Sequence, residues 1–117
     1  MSSNKHIDVL VIGSGPGGYA AAFRAADLGR EVVLVDKDPT LGGVCLNRGC
    51  IPSKTLLHIS KVLEETVSLK NMGVTFTKPK IDIGAVRSWK SKIVSQLSNG
   101  IGQMAKARNV TTIQAEA

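Results

Sequence analysis

Apolar and polar positions split this chain into two regimes. Up to Asp36 the apolar residues come in short, nearly continuous runs; from Leu56 onward they recur every three or four residues. After a polar lead-in, Met1–His6, the stretch Ile7-Asp8-Val9-Leu10-Val11-Ile12 is β-branched and predicts a buried parallel strand. The alanine-rich Tyr19–Leu28 predicts a helix, with Gly29 as its stop. Glu31-Val32-Val33-Leu34-Val35 predicts a second buried strand ending at Asp36. Leu56, Ile59, Leu63 and Val67 predict an amphipathic helix from Pro52 to about Lys70, with Gly73 beyond its end. Val74–Phe76 reads as a short strand interrupted by Pro79. Asp82 is placed to cap a long helix whose core stripe is Val86, Trp89, Ile93, Leu97, Ile101 and Met104, with Gly100 and Gly102 weakening its last turns and Asn109 ending it. Val110–Gln114 is a third strand. Strands alternating with helices predict an α/β fold with a mostly parallel sheet.

Between the first strand and the first helix lies Gly13-Ser14-Gly15-Pro16-Gly17-Gly18. This is a Gly-x-Gly-x-x-Gly turn inside a Rossmann-like β-α-β unit. Gly13 makes the tight turn, Gly15 lets backbone approach a pyrophosphate, and Gly18 lets helix and strand pack closely. The pyrophosphate rests on the helix N-terminus. Asp36, eighteen residues past Gly18, is placed to accept from a ribose hydroxyl. The three glycines are weak evidence alone. The strand before them, the helix after them and the acid beyond supply the context that makes dinucleotide binding the expected role.

The strongest chemistry lies in Gly42-Gly43-Val44-Cys45-Leu46-Asn47-Arg48-Gly49-Cys50-Ile51-Pro52-Ser53-Lys54, which holds both cysteines. A disulfide closing so short a ring is a weak staple, so the pair points to redox chemistry rather than structure. In a straight helix, residues five apart have Cα atoms roughly 8.7 Å apart. A disulfide needs less than about 7 Å. The segment must therefore be bent or only partly helical, and Gly49 supplies the freedom. Pro52 fits the first turn of the following helix. Cys50 then lies near that helix's N-terminus, which favours a thiolate. A zinc site would need four ligands, and beyond the cysteines only His6 and His58 remain, so no metal is expected. The fingerprint does not choose between NAD and FAD. The dithiol favours FAD, because flavin mediates between thiol chemistry and hydride.

One hundred and seventeen residues suit one domain, and no repeats occur. The net charge of +6 is spread over helix-like faces. With four aromatic residues and no recognition motif, nucleic acid is not an expected partner. No apolar run is long enough to span a membrane. No leader is legible. A cytosolic protein is expected, where a disulfide is usually catalytic.

The run Gly42-Gly43-Val44-Cys45 to Lys54-Thr55-Leu56-Leu57 closely resembles the redox motif of the flavin-dependent pyridine nucleotide–disulfide oxidoreductases. Its wording is most similar to the dihydrolipoamide-oxidising branch; glutathione, trypanothione and mercuric reductases usually read Val at the Leu46 position. The resemblance covers nearly the whole chain. It implies that residues 1–117 are the N-terminal part of a FAD-binding domain. The NAD-binding and dimerisation domains, with the acid–base His–Glu pair, would lie outside this chain. It implies bound FAD and NAD as co-substrate. It implies Gly13, Gly15, Pro16, Gly17 and Gly18 at the pyrophosphate, and Asp36 at the adenosine ribose, where many members carry Glu. Lys37 to Cys45 would lie along the cofactor, with Lys37, Gly42, Gly43, Val44 and Cys45 as its contacts, Lys54 near the flavin, and the turn ending at Ala117 at the adenine. Cys45 would exchange with substrate and Cys50 would face the flavin as its thiolate partner. Implied partners are lipoyl domains of 2-oxoacid dehydrogenase complexes and a second copy in a homodimer. The alternatives are a glutathione- or mercuric-reductase-like activity, or a non-catalytic dinucleotide-binding module with a redox-sensing disulfide.

Overall fold

The computed structural model describes residues 6–117; all of the polar lead-in but His6 lies outside them. The expected α/β unit is there. Strand β1 (Val9–Ile12) leads through the glycine turn into helix α1 (Pro16–Asp27), and β2 (Val32–Asp36) follows. A short helix α2 (Gly43–Arg48) and a long one α3 (Cys50–Ser68) meet at Gly49. A 3₁₀ turn (Leu69–Met72) and an extended stretch then lead to α4 (Ile83–Ala107) and β3 (Thr111–Gln114). The sheet runs β1-β2-β3, all parallel, with Val9 opposite Val32 and Val33 opposite Thr111.

Helix α1 begins three residues earlier than the alanine run suggested. Gly15 is its N-cap and Pro16 its first residue, so the glycine turn is itself the helix start. The core lies on one face of the sheet, where Ala22 and Phe23 of α1 and Ala105 of α4 pack on Val32, Leu34 and Val110. Arg108 fastens the two helices together. Its Nε is 3.0 Å from Asp27 Oδ1 and its guanidinium lies over the Phe23 ring.

The opposite face is open along β1, though Val33 beside it is buried, which corrects the reading of β1 as a buried strand. Val9 and Val11 face the core, while Leu10 and Ile12 are 53% and 65% exposed. β1 is an edge strand, and both helices that touch the sheet pack on the other side. A parallel sheet usually has both faces covered.

Two further expectations change. Residues 74–82 form no strand among the described residues, because no neighbouring strand offers a ladder; Val74 and Phe76 are largely exposed. Half of the α4 stripe is covered: Val86, Ile93 and Ile101 are half-buried, with Ile101 against the core. Trp89, Leu97 and Met104 are exposed, while Ser98 and Ala105 are the buried positions. Small residues let α4 sit close to the sheet and to Leu41, whose carbonyl accepts from the Ser98 hydroxyl at 3.0 Å. The cap is as expected: the Ala85 N–H donates to Asp82 Oδ1 at 3.0 Å. Helices α3 and α4 form a projecting hairpin that stretches the molecule to 73 × 27 × 21 Å. On α3 the half-buried positions include Ile59 and Leu63; Leu56 and Val67 are exposed.

Candidate active site

Three backbone features build the site. The first is the turn at the C-terminal end of β1. Gly13 has φ +95°, a conformation L side chains rarely adopt. A Cβ on Gly18 would overlap the Gly13 carbonyl and lie 2.8 Å from its carbon, so only glycine lets α1 start this close to β1. Gly15 has open space before it.

The second is the Gly42-Gly43 turn into α2. Gly42 N–H donates to the Ser14 carbonyl at 2.9 Å, and a Cβ on Gly43 would meet the Gly15 Cα at 2.7 Å. The two glycine turns, whose contacting residues are twenty-eight positions apart in the chain, are therefore in backbone contact. Asn47 holds the second in shape: its amide donates to the carbonyls of Gly43 (3.0 Å) and Leu41 (3.3 Å).

The third is Asp36 at the end of β2. Its Oδ2 accepts from both the backbone N–H and the hydroxyl of Ser14, each at 2.6 Å, and Oδ1 accepts from the Asp38 N–H at 2.9 Å. Burial alone would raise this carboxyl. The Ser14 hydroxyl, the Asp38 and Ser14 amides and the Lys37 charge outweigh it and hold the group below its ordinary 3.8. Ser14 is fully buried, so its hydroxyl has no water to fall back on. Sequence reasoning placed Asp36 but missed Ser14, which stands at a free position of the fingerprint; a hydroxyl two residues from a strand end facing an acid was its only signal. Ser14→Ala should lower stability by about 1–3 kcal/mol. It should also move the Asp36 titration upward, read by carboxyl NMR. Because the native carboxyl is depressed, its contribution is present above pH 3.8 and lost as pH falls through the native value. An unmoved Asp36 titration in Ser14→Ala would overturn this account.

Around these features lies a cavity of about 390 Å³. Of the sequence-predicted residues, Gly13, Gly15, Asp36, Lys37, Gly43, Val44 and Ala117 line it. Pro16, Gly17, Gly18 and Gly42 are not among its lining residues. Cys45, Cys50 and Lys54 lie off its lining, further along α2 and α3. Asp38 and Arg48 line it without having been singled out. A larger recess, about 540 Å³, lies between α4 and β3, but the glycine turn is not among its walls. The donor set of the smaller cavity fits a dinucleotide: a side-chain-free turn at a helix N-terminus for a diphosphate, and a carboxylate at the next strand end for a ribose.

The cysteines fall on either side of the predicted bend. Cys45 is in α2, Cys50 is the first residue of α3, and Gly49 between them has φ −125° and ψ −102°. Both are free thiols. The hydrogen bond from the Cys45 thiol to Cys50, then burial, then the charge of Cys50, push Cys45 above its ordinary 9.0, against a smaller opposing effect of the Cys50 amide. Cys45 is half-buried and Cys50 exposed. In the reduced chain, iodoacetamide at pH 8 should therefore label Cys50 before Cys45, read by peptide mass spectrometry; faster labelling of Cys45 would contradict this geometry. Lys54 and His58 lie one turn apart on α3, both exposed.

A glycine cradle for a dinucleotide, abutting through Gly43 a helix that carries one half of a dithiol, defines a class. The chain belongs to the pyridine nucleotide-disulphide oxidoreductase family, whose sequence pattern matches residues 7–117. Within that family it is similar to proteins named dihydrolipoyl dehydrogenase. It is 58% identical to that of Vibrio parahaemolyticus over 113 residues, 97% of this chain and 24% of the relative. It is 52% identical to that of Buchnera aphidicola over 117 residues, 100% of this chain and 25% of the relative. With the Bacillus subtilis protein the figures are 46% over 110 residues, 94% and 23%. The chain thus spans about a quarter of the length of the curated relatives it matches. Among the described residues no helix is long and apolar enough to cross a membrane.

Proposed function

We propose that this chain is the N-terminal, FAD-binding part of an NAD-dependent dihydrolipoyl dehydrogenase, a cytoplasmic homodimer serving the lipoyl domains of 2-oxoacid dehydrogenase complexes. The NAD-binding and dimerisation domains belong to the remaining length. The observation that carries the reading is the backbone contact of Gly43 with Gly15, which joins the dithiol helix to the dinucleotide cradle.

The residues would act as follows. In the oxidised state a substrate thiolate attacks the Cys45 sulfur, the Cys45–Cys50 bond breaks, and Cys50 leaves as a thiolate. The second substrate thiol, losing its proton to a base outside this chain, attacks the mixed disulfide. Cys45 leaves the mixed disulfide as a thiolate, takes that proton back from the base and stands as the thiol, hydrogen-bonded to Cys50, while the lipoyl disulfide departs. The Gly13–Gly18 turn and Asp36 would hold the ADP half of FAD, which would supply a two-electron acceptor for the dithiol and a hydride donor to NAD⁺. Cys45 is held above its ordinary value, as suits the thiol that remains protonated, and Cys50 stands at a helix N-terminus, where a leaving thiolate meets the positive end of the dipole.

The test is an assay of the full-length protein with dihydrolipoamide and NAD⁺. Turnover that vanishes on Cys45→Ser or Cys50→Ser is the expected result. Preference for glutathione disulfide with NADPH would overturn the substrate while sparing the family. In that flavin-loaded enzyme the labelling order should reverse from that of the isolated chain, with Cys45 reacting first because the cofactor shields Cys50. Equal labelling rates would refute the division of roles.

A further inference from the structure

A dinucleotide's diphosphate brings negative charge to a cavity whose walls already carry Asp36, Asp38 and Glu116. Among the described lining residues only Lys37 and Arg48 are cations. Asp36 is engaged by Ser14 and by the Asp38 amide. Arg48 is the last residue of α2, four past Val44, which also lines the cavity, so the two share a helix face. The Arg48 guanidinium rests on Asp38 Oδ2 at 2.7 Å. Both side chains reach water, Arg48 at 57% exposure and Asp38 at 22%. An ion pair this open does little to hold a fold together. A planar, always-charged fork at the edge of a glycine cradle is well matched to phosphate oxygens.

We propose that Arg48 is a further dinucleotide-binding residue: its guanidinium binds the diphosphate at the Gly13–Gly18 turn, with Asp38 as the competing anion that holds it at the rim beforehand. This rests on the reading of that turn as a dinucleotide cradle. The competition makes it distinguishable from a mere strap between α2 and the loop after β2. If Arg48 binds phosphate, removing the Asp38 charge frees it and leaves affinity unchanged or better. If the pair only fastens the loop, losing either partner weakens binding alike.

The experiment is a titration of the 117-residue chain with ADP, followed by ¹⁵N NMR, for wild type, Arg48→Gln, Arg48→Lys and Asp38→Asn. All three substitutions are at solvent-reaching side chains, and the unligated spectra report whether each variant is folded. Arg48→Gln should bind ADP about tenfold more weakly, as for loss of a charged hydrogen bond. Arg48→Lys should fall between, and Asp38→Asn should match or exceed wild type. The gap between wild type and Arg48→Gln should narrow at 0.5 M salt, where the screening length is roughly 4 Å. Wild-type affinity in Arg48→Gln would overturn the proposal and leave the cradle standing. A loss in Asp38→Asn equal to that in Arg48→Gln would show a strap and overturn it too. No ADP shifts in the wild type would overturn both the proposal and the cradle.

Discussion

Gly18→Ala should destabilise the chain by about 3 kcal/mol or more, while Gly17→Ala next to it should be neutral or stabilising by up to about 1 kcal/mol. The two glycines are adjacent in α1 and differ in what a methyl group would meet. At Gly18 a Cβ would overlap the Gly13 carbonyl oxygen, a backbone atom that cannot rotate away. Relief requires α1 to back off β1, which would pull Phe23 and Ala22 from Val32 and Leu34 and break the core. At Gly17 nothing lies within 4 Å, and alanine is the better helix former. Domains of this size have only about 5–15 kcal/mol of stability in total, so the Gly18 loss is a large share. Urea denaturation followed by circular dichroism measures both. Equal midpoints for the two variants would show that the close approach of α1 and β1 has been misjudged.

The second large effect concerns the cofactor. The 117-residue chain alone should bind FAD at least about a thousandfold more weakly than the full-length protein, and it should not oxidise dihydrolipoamide. The cavity at Gly13, Asp36 and Ala117 can grip an ADP half. Beyond it, Cys50 and Lys54 are exposed, and the sheet face carrying Leu10, Ile12 and Ile113 is open to water. An isoalloxazine ring would thus meet protein on one side and solvent on the other. Each tenfold loss corresponds to about 1.4 kcal/mol, so a thousandfold needs only about 4 kcal/mol of lost burial and hydrogen bonding. Flavin fluorescence during titration reads the affinity; tight stoichiometric binding would show that the remaining domains contribute less than stated here. For turnover, the one histidine near the dithiol segment is His58, one turn past Lys54 and exposed. Dihydrolipoamide oxidation by the chain that disappears in His58→Ala would overturn the placement of the acid–base group elsewhere.

Much of the site was legible in the residues because its chemistry is local. The glycine turn, the acid at the next strand end and the dithiol each lie within one short segment, and each demands particular residue types at a fixed spacing. A break at Gly49 followed from a Cα separation that a straight helix cannot meet, and Cys50 at a helix N-terminus followed from Pro52 in the first turn. Ser14, Asp38 and Arg48 were not legible. Their roles depend on partners ten to twenty-two residues away, brought near by the parallel pairing of β1 with β2 and by the glycine contact at Gly43.

The same division holds for the fold. Strand runs, helix periods, the Asp82 cap and the stop at Gly73 arise from alternation, propensity and capping, which neighbours in the chain set among themselves. Which face of each element is covered does not. Leu10 and Ile12 have the composition of core residues yet stay open, because both helices that reach the sheet pack against its other face. Val74–Phe76 has strand-like residues but no neighbouring strand to bond. Helix α4 turns Ser98 and Ala105 inward rather than Trp89 and Leu97, because only small side chains allow its close approach to Leu41 and the sheet. Burial is a property of two surfaces meeting, and the chain specifies the second surface only once it has folded.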